Sequence, residues 1–140
     1  MNSTGLTENM KDETVSDEAG AINDKIALEK NSLRDIWQAM RMQLADAGIE
    51  NALNIIPLPE EAEYTVERDP FDGSETLHGV WRDKKGNKIG EIQVRDNDSV
   101  YAEADVIRNH PTDGRWFVES VTAWGKKTDI KTELKLLPAV

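Results

Sequence analysis

The sequence predicts an α+β domain, in which an N-terminal helical region packs on a twisted antiparallel β-sheet of five to six strands in meander order. Two observations lead to this prediction. A single apolar stripe at helical spacing runs between residues 32 and 48. After residue 62, short segments alternate apolar and polar residues and are separated by turn residues. Connections this short join antiparallel neighbours, because a parallel pair needs a crossover of roughly a dozen residues or more.

The 140-residue chain is long enough for one folded domain preceded by a tail. Residues 1–17 are polar and acidic, and they hold too little apolar surface to offset the entropy cost of ordering. They are therefore predicted to be a disordered acidic tail. Residues 18–140 are predicted to form a single domain, with a helical region at 18–48, a proline-containing linker at 49–62 and the sheet at 63–137.

The helical region can be one long helix or two short ones. Ile22 and Ile26 lie one helical turn apart in its first part. In the second part, Ser32 is placed to cap the first turn and Gly48 to end the helix. Only weak helix stops separate the two parts, so both arrangements remain open. The apolar stripe of the second part consists of Leu33, Ile36, Trp37, Met40 and Leu44.

Two prolines end the helical region. Pro57 and Pro59 favour an extended chain and prevent a helix from continuing through them. Strand candidates follow, each bounded by a turn signal rich in Gly, Pro, Asn, Asp or Lys. They span residues 63–68, 76–82, 88–95, 99–108, 115–124 and 130–137.

Alternation within the third and fourth strands assigns their side chains to faces. Ile92 and Val94 share the inner face with Val100 only if the connecting loop has an odd number of residues, such as 97–99. The predicted outer-face pairs are then Glu91 with Asp105 and Gln93 with Glu103.

The same reasoning for the last two strands takes Trp124 as the partner of Ile130. Trp124 is then an inner-face residue, whereas Phe117 and Val121 point outward. Apolar residues in this position indicate either a bulge near Ser120 or a second covered face. The predicted inner-face residues are Trp116, Val118, Trp124, Leu134 and Leu136.

Composition narrows the function classes. The formal net charge of −10 repels polyanions, so nucleic acids and anionic membranes are not expected partners. The lack of cysteine excludes disulfides, thiolate metal sites and a cysteine nucleophile. No window approaches the ~18 apolar residues of a membrane span and the start does not resemble a signal peptide, so a cytoplasmic protein is expected. No phosphate-binding motif occurs, and no cofactor is expected.

Three residues are candidates for catalysis: Glu103, Asp105 and His110. Carboxylates on neighbouring strands can act as an acid/base pair or hold a hard cation, but alternating acids are also typical of a solvated sheet face. His110 lies in a His-Pro-Thr-Asp-Gly turn with no nucleophile beside it in the sequence. The turn sequences lack EF-hand spacing, so no metal site is predicted.

The aromatic residues suggest an interaction surface. Trp81, Tyr101 and Phe117 lie in predicted strands, and parity does not require them on the face that the helix covers. Unless they close the core at the sheet edges, such a cluster rimmed by charges is typical of a protein-binding surface. The leading hypothesis is a small, soluble, non-enzymatic module that binds a protein partner or itself. The alternative is a small-molecule-binding domain or small enzyme with a cleft between helix and sheet.

Overall fold

The computed structural model describes residues 20–112 and 114–138, and within them helices pack on a six-stranded antiparallel sheet. The predicted α+β class and meander order are confirmed, and the sheet is not closed. The predicted tail at residues 1–17 lies outside the described residues. Helix α1 occupies residues 20–28 of the described range, and α2 is Lys30–Asp46. The strands are β1 (Glu63–Arg68), β2 (Glu75–Arg82), β3 (Lys88–Arg95), β4 (Ser99–Asn109), β5 (Trp116–Lys126) and β6 (Asp129–Pro138).

The helical region consists of two helices, although hydrogen bonding continues across their junction at Glu29. The Glu29 N–H donates to the Lys25 carbonyl at 3.0 Å, and the Glu29 carbonyl accepts from the Leu33 N–H at 2.9 Å. Glu29 itself has φ −97° and ψ 10° and makes no side-chain cap. The prediction that Ser32 caps a helix is wrong, since Ser32 lies inside α2. The N–H groups there are already engaged by the preceding turn, so no cap is needed.

The end of α2 follows the prediction. Gly48 has a φ of +81°, a conformation that glycine adopts without a Cβ clash. Its N–H donates to the Ala45 carbonyl, and the Ile49 N–H donates to the Leu44 carbonyl. These two bonds form a Schellman motif, and Ile49 is buried next to the end of α2.

The segment between helix and sheet is not uniformly extended. Ala52–Ile55 forms a single helical turn, α3, and Pro59–Glu61 forms a 3-10 turn. Gly48 ends α2 well before the prolines, and Asn51, with a left-handed φ of +59°, precedes the short helical turn that fits before Pro57. The sequence reading of this linker missed both turns.

Helix α2 lies across the inner face of the sheet and closes the core. Ile36, Met40 and Leu44 have no exposed surface. Trp37 packs at the side of the core, where its indole N–H donates to the Ile56 carbonyl at 3.3 Å. The sheet contributes Leu77, Trp81, Ile92, Val94, Val100, Ala102, Ala104, Val106, Val118, Val121 and Ala123.

Trp81 belongs to this core, which corrects its assignment to the exposed surface. Its side chain is 1 % exposed, and its indole N–H donates to the Leu58 carbonyl at 2.9 Å. Trp81 lies four positions after Leu77 in β2, so the two side chains share the inner face. The residue opposite is Gly90 on β3, which has no side chain and leaves room for the indole ring.

The register of β3 and β4 differs from the predicted one by two residues. The hairpin loop is 96–98 and not 97–99, because Asp98 takes a φ of +68° and its N–H donates to the Arg95 carbonyl at 3.0 Å. The loop length remains odd, so the predicted faces of Ile92, Val94 and Val100 hold and all three are buried. The observed outer-face pairs are Glu91 with Glu103 and Gln93 with Tyr101.

The predicted pairing of β5 with β6 is also wrong. A two-residue turn joins the strands, so Gly125 is opposite Ile130 and Trp124 is opposite Lys131. Trp124 therefore lies on the outer face, and Val121, predicted to point outward, is fully buried. The predicted bulge near Ser120 is present, since the register shifts between Val118 and Ser120.

Candidate functional site

The face of the sheet that α2 does not cover, called the outer face below, carries two rows of side chains that cross all six strands. Register pairing places one residue of each strand in each row. The aromatic row is Thr65, His78, Gln93, Tyr101, Trp124 and Lys131. The acidic row is Glu63, Val80, Glu91, Glu103, Thr122 and Glu133.

An aromatic pair occupies the middle of the outer face. Tyr101 on β4 and Trp124 on β5 are directly opposite each other. Both are half-buried by their neighbours on the sheet, while the helices of the described chain pack on the other face. Opposed residues of antiparallel strands have Cβ atoms about 4.5–5.5 Å apart, so this pair places two aromatic side chains next to each other on the outer face.

A carboxylate pair lies beside the aromatic pair. Glu91 and Glu103 are directly opposite each other on β3 and β4, an arrangement in which like charges destabilise the sheet. Burial opposes ionisation of Glu91, but hydrogen bonds outweigh it and lower the pKa of that carboxyl. Its donors are Lys88 Nζ at 2.7 Å and Gln93 Nε2 at 2.9 Å, with a ring nitrogen of His78 at 3.0 Å.

His78 bridges this pair to the edge strand β1. Nδ1 lies 2.9 Å from Glu67 Oε2, and Nε2 lies 3.0 Å from Glu91 Oε1. A carboxylate can only accept a hydrogen bond, so the tautomer of His78 decides which ring nitrogen donates to which carboxylate. His78 thus connects Glu67 on β1 to Glu91 on β3, on the opposite side of Glu91 from Glu103.

Glu103 lies next to the aromatic pair, two positions after Tyr101 on the same face of β4. The Tyr101 hydroxyl donates to Glu103 Oε2 at 3.4 Å, a long and weak bond. Burial, together with the charges of Glu103 and Glu91, raises the pKa of Tyr101, so the phenol stays neutral. The centre of the outer face therefore holds two aromatic side chains in one row and two carboxylates in the adjacent row.

A shallow depression adjoins Trp124. It has a volume of about 300 Å³ and is lined by Thr122, Trp124, Glu133 and Lys135. Lys135 at its border pairs with Glu119, with 3.1 Å between Nζ and Oε2. A depression of this size accommodates one side chain of a binding partner beside the indole ring.

The structure does not assemble the three catalytic candidates into a site. Glu103 lies in the centre of the outer face, and exposed Asp105 follows on the same face of β4, roughly 7 Å further along the strand. His110 comes five residues after Asp105, beyond the end of β4, where its Nδ1 lies 3.3 Å from the Thr112 N–H. Asp113, the aspartate of the same turn, lies outside the described residues.

The predicted aromatic surface is likewise only partly assembled. Tyr101 lies at its centre, Trp81 is in the core, and Phe117 is near the far end of β5, opposite Leu137 and Asn109. Trp124 takes the place beside Tyr101 that sequence reasoning gave to the others. A two-residue turn at Lys127 and Thr128 is the signal that would have revealed it.

The proposed cleft between helix and sheet is filled by core side chains. A groove of about 300 Å³ lies further out, between the helices and the 3-10 turn. It is lined mostly by apolar surface, including Leu33, Pro59 and Tyr64, and by the cations Lys30 and Arg34. Glu103, Asp105 and His110 do not line this groove.

Searches against protein-family models, curated proteins and solved structures found no match. Among residues 20–112 and 114–138, no cluster of three or more His, Asp or Glu has the geometry of a metal site. Over the same residues, no helix has both the length and the apolar character of a membrane span.

Proposed function

We propose that this protein is an interaction module whose outer face binds a positively charged segment of a partner protein. The observation that supports this proposal is the direct opposition of Tyr101 and Trp124 next to the Glu91–Glu103 pair. Aromatic faces attract ammonium and guanidinium groups, and neighbouring carboxylates add charge attraction and hydrogen-bond acceptors. A lysine or arginine side chain of a partner meets both requirements.

The shape of the outer face favours a macromolecular partner. The two rows cross the sheet without an enclosing wall, whereas small-molecule sites are concave and bury most of their ligand. Interfaces between proteins instead concentrate binding energy in a few aromatic and charged residues, surrounded by contacts that exclude water. Tyr101 and Trp124 have the position and composition of such a centre.

The charge of the whole chain supports the same choice. A formal net charge of −10 attracts basic segments over several ångströms and raises their rate of encounter. The same charge repels nucleic acids and anionic membranes, which remain unexpected partners. The cytoplasm remains the compartment in which we expect the interaction.

The test uses ¹⁵N-labelled protein and short synthetic peptides that alternate arginine or lysine with neutral residues. We expect the Trp124 indole signal and the Tyr101 and Glu103 amides to shift on titration, and the affinity to fall as salt is added. Matched peptides with glutamate at the charged positions serve as the ligand control. The proposal is overturned if both peptide series bind equally, or if the shifts map to the helix side of the protein.

Variants locate the binding energy. Trp124→Ala should weaken peptide binding by roughly tenfold or more, as expected for a central aromatic contact. Phe71→Ala is the matched control, because Phe71 is also aromatic, is 97 % exposed, and lies in the β1–β2 loop. Glu103→Gln should weaken binding and reduce its salt dependence. Equal losses for Trp124→Ala and Phe71→Ala would contradict an outer-face site.

A further inference from the structure

Within residues 20–112 and 114–138, the long edge strand β6 has one side without a partner strand. The strand order is β1 to β6, so β6 pairs with β5 on one side only, over the ten residues Asp129–Pro138. Backbone N–H and C=O groups on an open edge can pair with another strand. Natural edge strands often carry charges that oppose such pairing. The charges of β6 therefore determine which strand can pair with it.

The charges of β6 alternate in sign along the outer face. They are Asp129, Lys131, Glu133 and Lys135. When two copies of one strand pair antiparallel about a two-fold axis, opposed residues point to the same face, so their numbers have an even sum. The axis then runs between the two copies of one residue, called the axial residue. Each choice of axial residue therefore fixes which charges face each other.

Only one such register opposes every acid with a base. With Thr132 on the axis, Asp129 faces Lys135 of the second copy and Lys131 faces its Glu133, and symmetry repeats each pair. With Lys131 or Glu133 on the axis, like charges face each other, which destabilises the pairing. With Leu134 on the axis, only the pairing of Glu133 with Lys135 is retained, and with Ile130 on the axis only that of Asp129 with Lys131 lies within β6.

The inner face is compatible with the same register. Ile130 of one copy faces Leu134 of the other, twice, and both side chains are half-buried at the edge of the core. Thr132 faces Thr132, and its hydroxyl, which donates to Gln43 Oε1 at 2.8 Å, remains directed to α2. Pairing would thus extend both the hydrogen-bonded sheet and its apolar underside.

The other edge of the sheet does not offer this pairing. Strand β1 is shorter, Glu63–Arg68, and a self-pairing centred on Thr65 sets Glu63 against Glu67. Pairing of β1 with β6 of another copy would match Glu63 and Glu67 with the lysines, but a head-to-tail contact of this kind gives open chains or larger rings and not a closed dimer.

We infer that the protein forms a closed homodimer in which β6 strands of two copies pair antiparallel about Thr132 and join the two sheets into one. The two-fold pairing is closed because each copy uses the same edge. This inference is independent of the binding proposed for the outer face, since either can fail without the other.

A charge swap tests both the dimer and its register. Analytical ultracentrifugation of the full chain over a concentration series should show a monomer–dimer equilibrium. Lys131→Glu replaces two attractive contacts by two repulsive ones and should raise the dissociation constant roughly 10- to 30-fold. Adding Glu133→Lys to it restores opposite charges across the axis and should return the constant to within about threefold of the original. A monomer at all concentrations, open-ended larger species, or failure of the double variant to recover would each overturn the inference.

A disulfide gives an independent measure of the register. The chain has no cysteine, so Thr132→Cys introduces a single thiol. Opposed residues of antiparallel strands have Cα atoms about 4.5–5.5 Å apart, which is within disulfide range. Under mild oxidation Thr132→Cys should cross-link to a dimer. Thr128→Cys is the control: in this register its two copies lie about 26 Å apart and should stay monomeric on denaturing gels. Equal cross-linking of the two variants would overturn the register.

Discussion

Gly90 is the position at which the packing of the sheet can be tested most sharply. It lies opposite Trp81 on the inner face, between β2 and β4. A Cβ atom added at Gly90 would lie 2.6 Å from the Glu103 carbonyl oxygen and 3.0 Å from a carbon of the Trp81 ring. The nearer contact is a backbone atom of a neighbouring strand and cannot turn away, so Gly90→Ala must displace either β4 or the indole.

The size of the effect follows from two opposing contributions. Overpacking in a closed core destabilises a protein by about 1–3 kcal/mol, and a clash with backbone belongs at the upper end. Loss of chain entropy in the unfolded state works the other way, by about 0.4–1 kcal/mol for Gly→Ala. The expected net loss in the free energy of unfolding is therefore about 2 kcal/mol, which lowers the Tm by roughly 5–10 °C for a domain of this size.

Urea unfolding followed by circular dichroism and tryptophan fluorescence measures this loss. Gly114→Ala is the matched control, because a Cβ there has no atom within 4 Å and Gly114 is exposed. Coincidence of the two spectroscopic transitions would justify a two-state treatment. If Gly90→Ala unfolds within about 0.5 kcal/mol of Gly114→Ala, the ordinary range for a surface change, the close packing of Trp81 over Gly90 is wrong.

Two further predictions concern groups at the borders of the core. Burial and the nearby Glu60 raise the pKa of Tyr64, so the unfolded chain releases the phenolic proton first and stability falls as pH rises above the ordinary value of about 10. Tyr64→Phe should flatten this decline in urea unfolding between pH 8 and 11, and an unchanged slope would contradict it. Glu29 is buried and pairs with Lys127 at 2.8 Å. Lys127→Met should cost about 1–2 kcal/mol by leaving that carboxylate without its cation, and adding Glu29→Gln should recover most of the loss in the same assay.

The sequence predicts the elements of this fold well because their signals are local. The stripe of α2 repeats at helical spacing, and Gly48 alone can adopt the left-handed φ that ends the helix without strain. The start of β1 at Glu63 and both ends of β3 at Lys88 and Arg95 coincide with the prediction, because turn residues bracket them.

Strand register is harder to predict because it depends on turn conformations that several sequences allow. Every register of β3 and β4 in which the numbers of opposed residues have an even sum keeps the same side chains on each face. Parity alone therefore allows both the observed pairing of Glu91 with Glu103 and the predicted pairing with Asp105. For β5 and β6, a two-residue turn changes the sum by one and moves Trp124 to the opposite face. The main aromatic residue of the candidate site was therefore assigned to the core.

Trp81 shows the converse error. A tryptophan in a strand with polar neighbours is compatible with either face, and the choice is made by a residue on another strand. Gly90 provides the space and the Leu58 carbonyl accepts the indole N–H, so the ring is buried without an unsatisfied donor. Both partners are distant in sequence, and neither carries a local signal for Trp81.

The two proposals have a geometric consequence when they are combined. Antiparallel pairing of β6 keeps opposed side chains on the same face, so the outer faces of both copies would point in one direction. Each copy would present its Tyr101–Trp124 pair, and the two pairs, with the two β6 strands between them, would lie roughly 15–20 Å apart at the usual strand spacing. A partner with two basic segments at that separation could engage both pairs, and the second contact would form at a high effective concentration.

Covalently linked basic peptides of increasing spacer length should then bind the dimer more tightly than a single peptide, and this gain should be lost in Lys131→Glu at concentrations where that variant is monomeric. A gain that persists in the monomeric variant would show that the avidity arises within one copy.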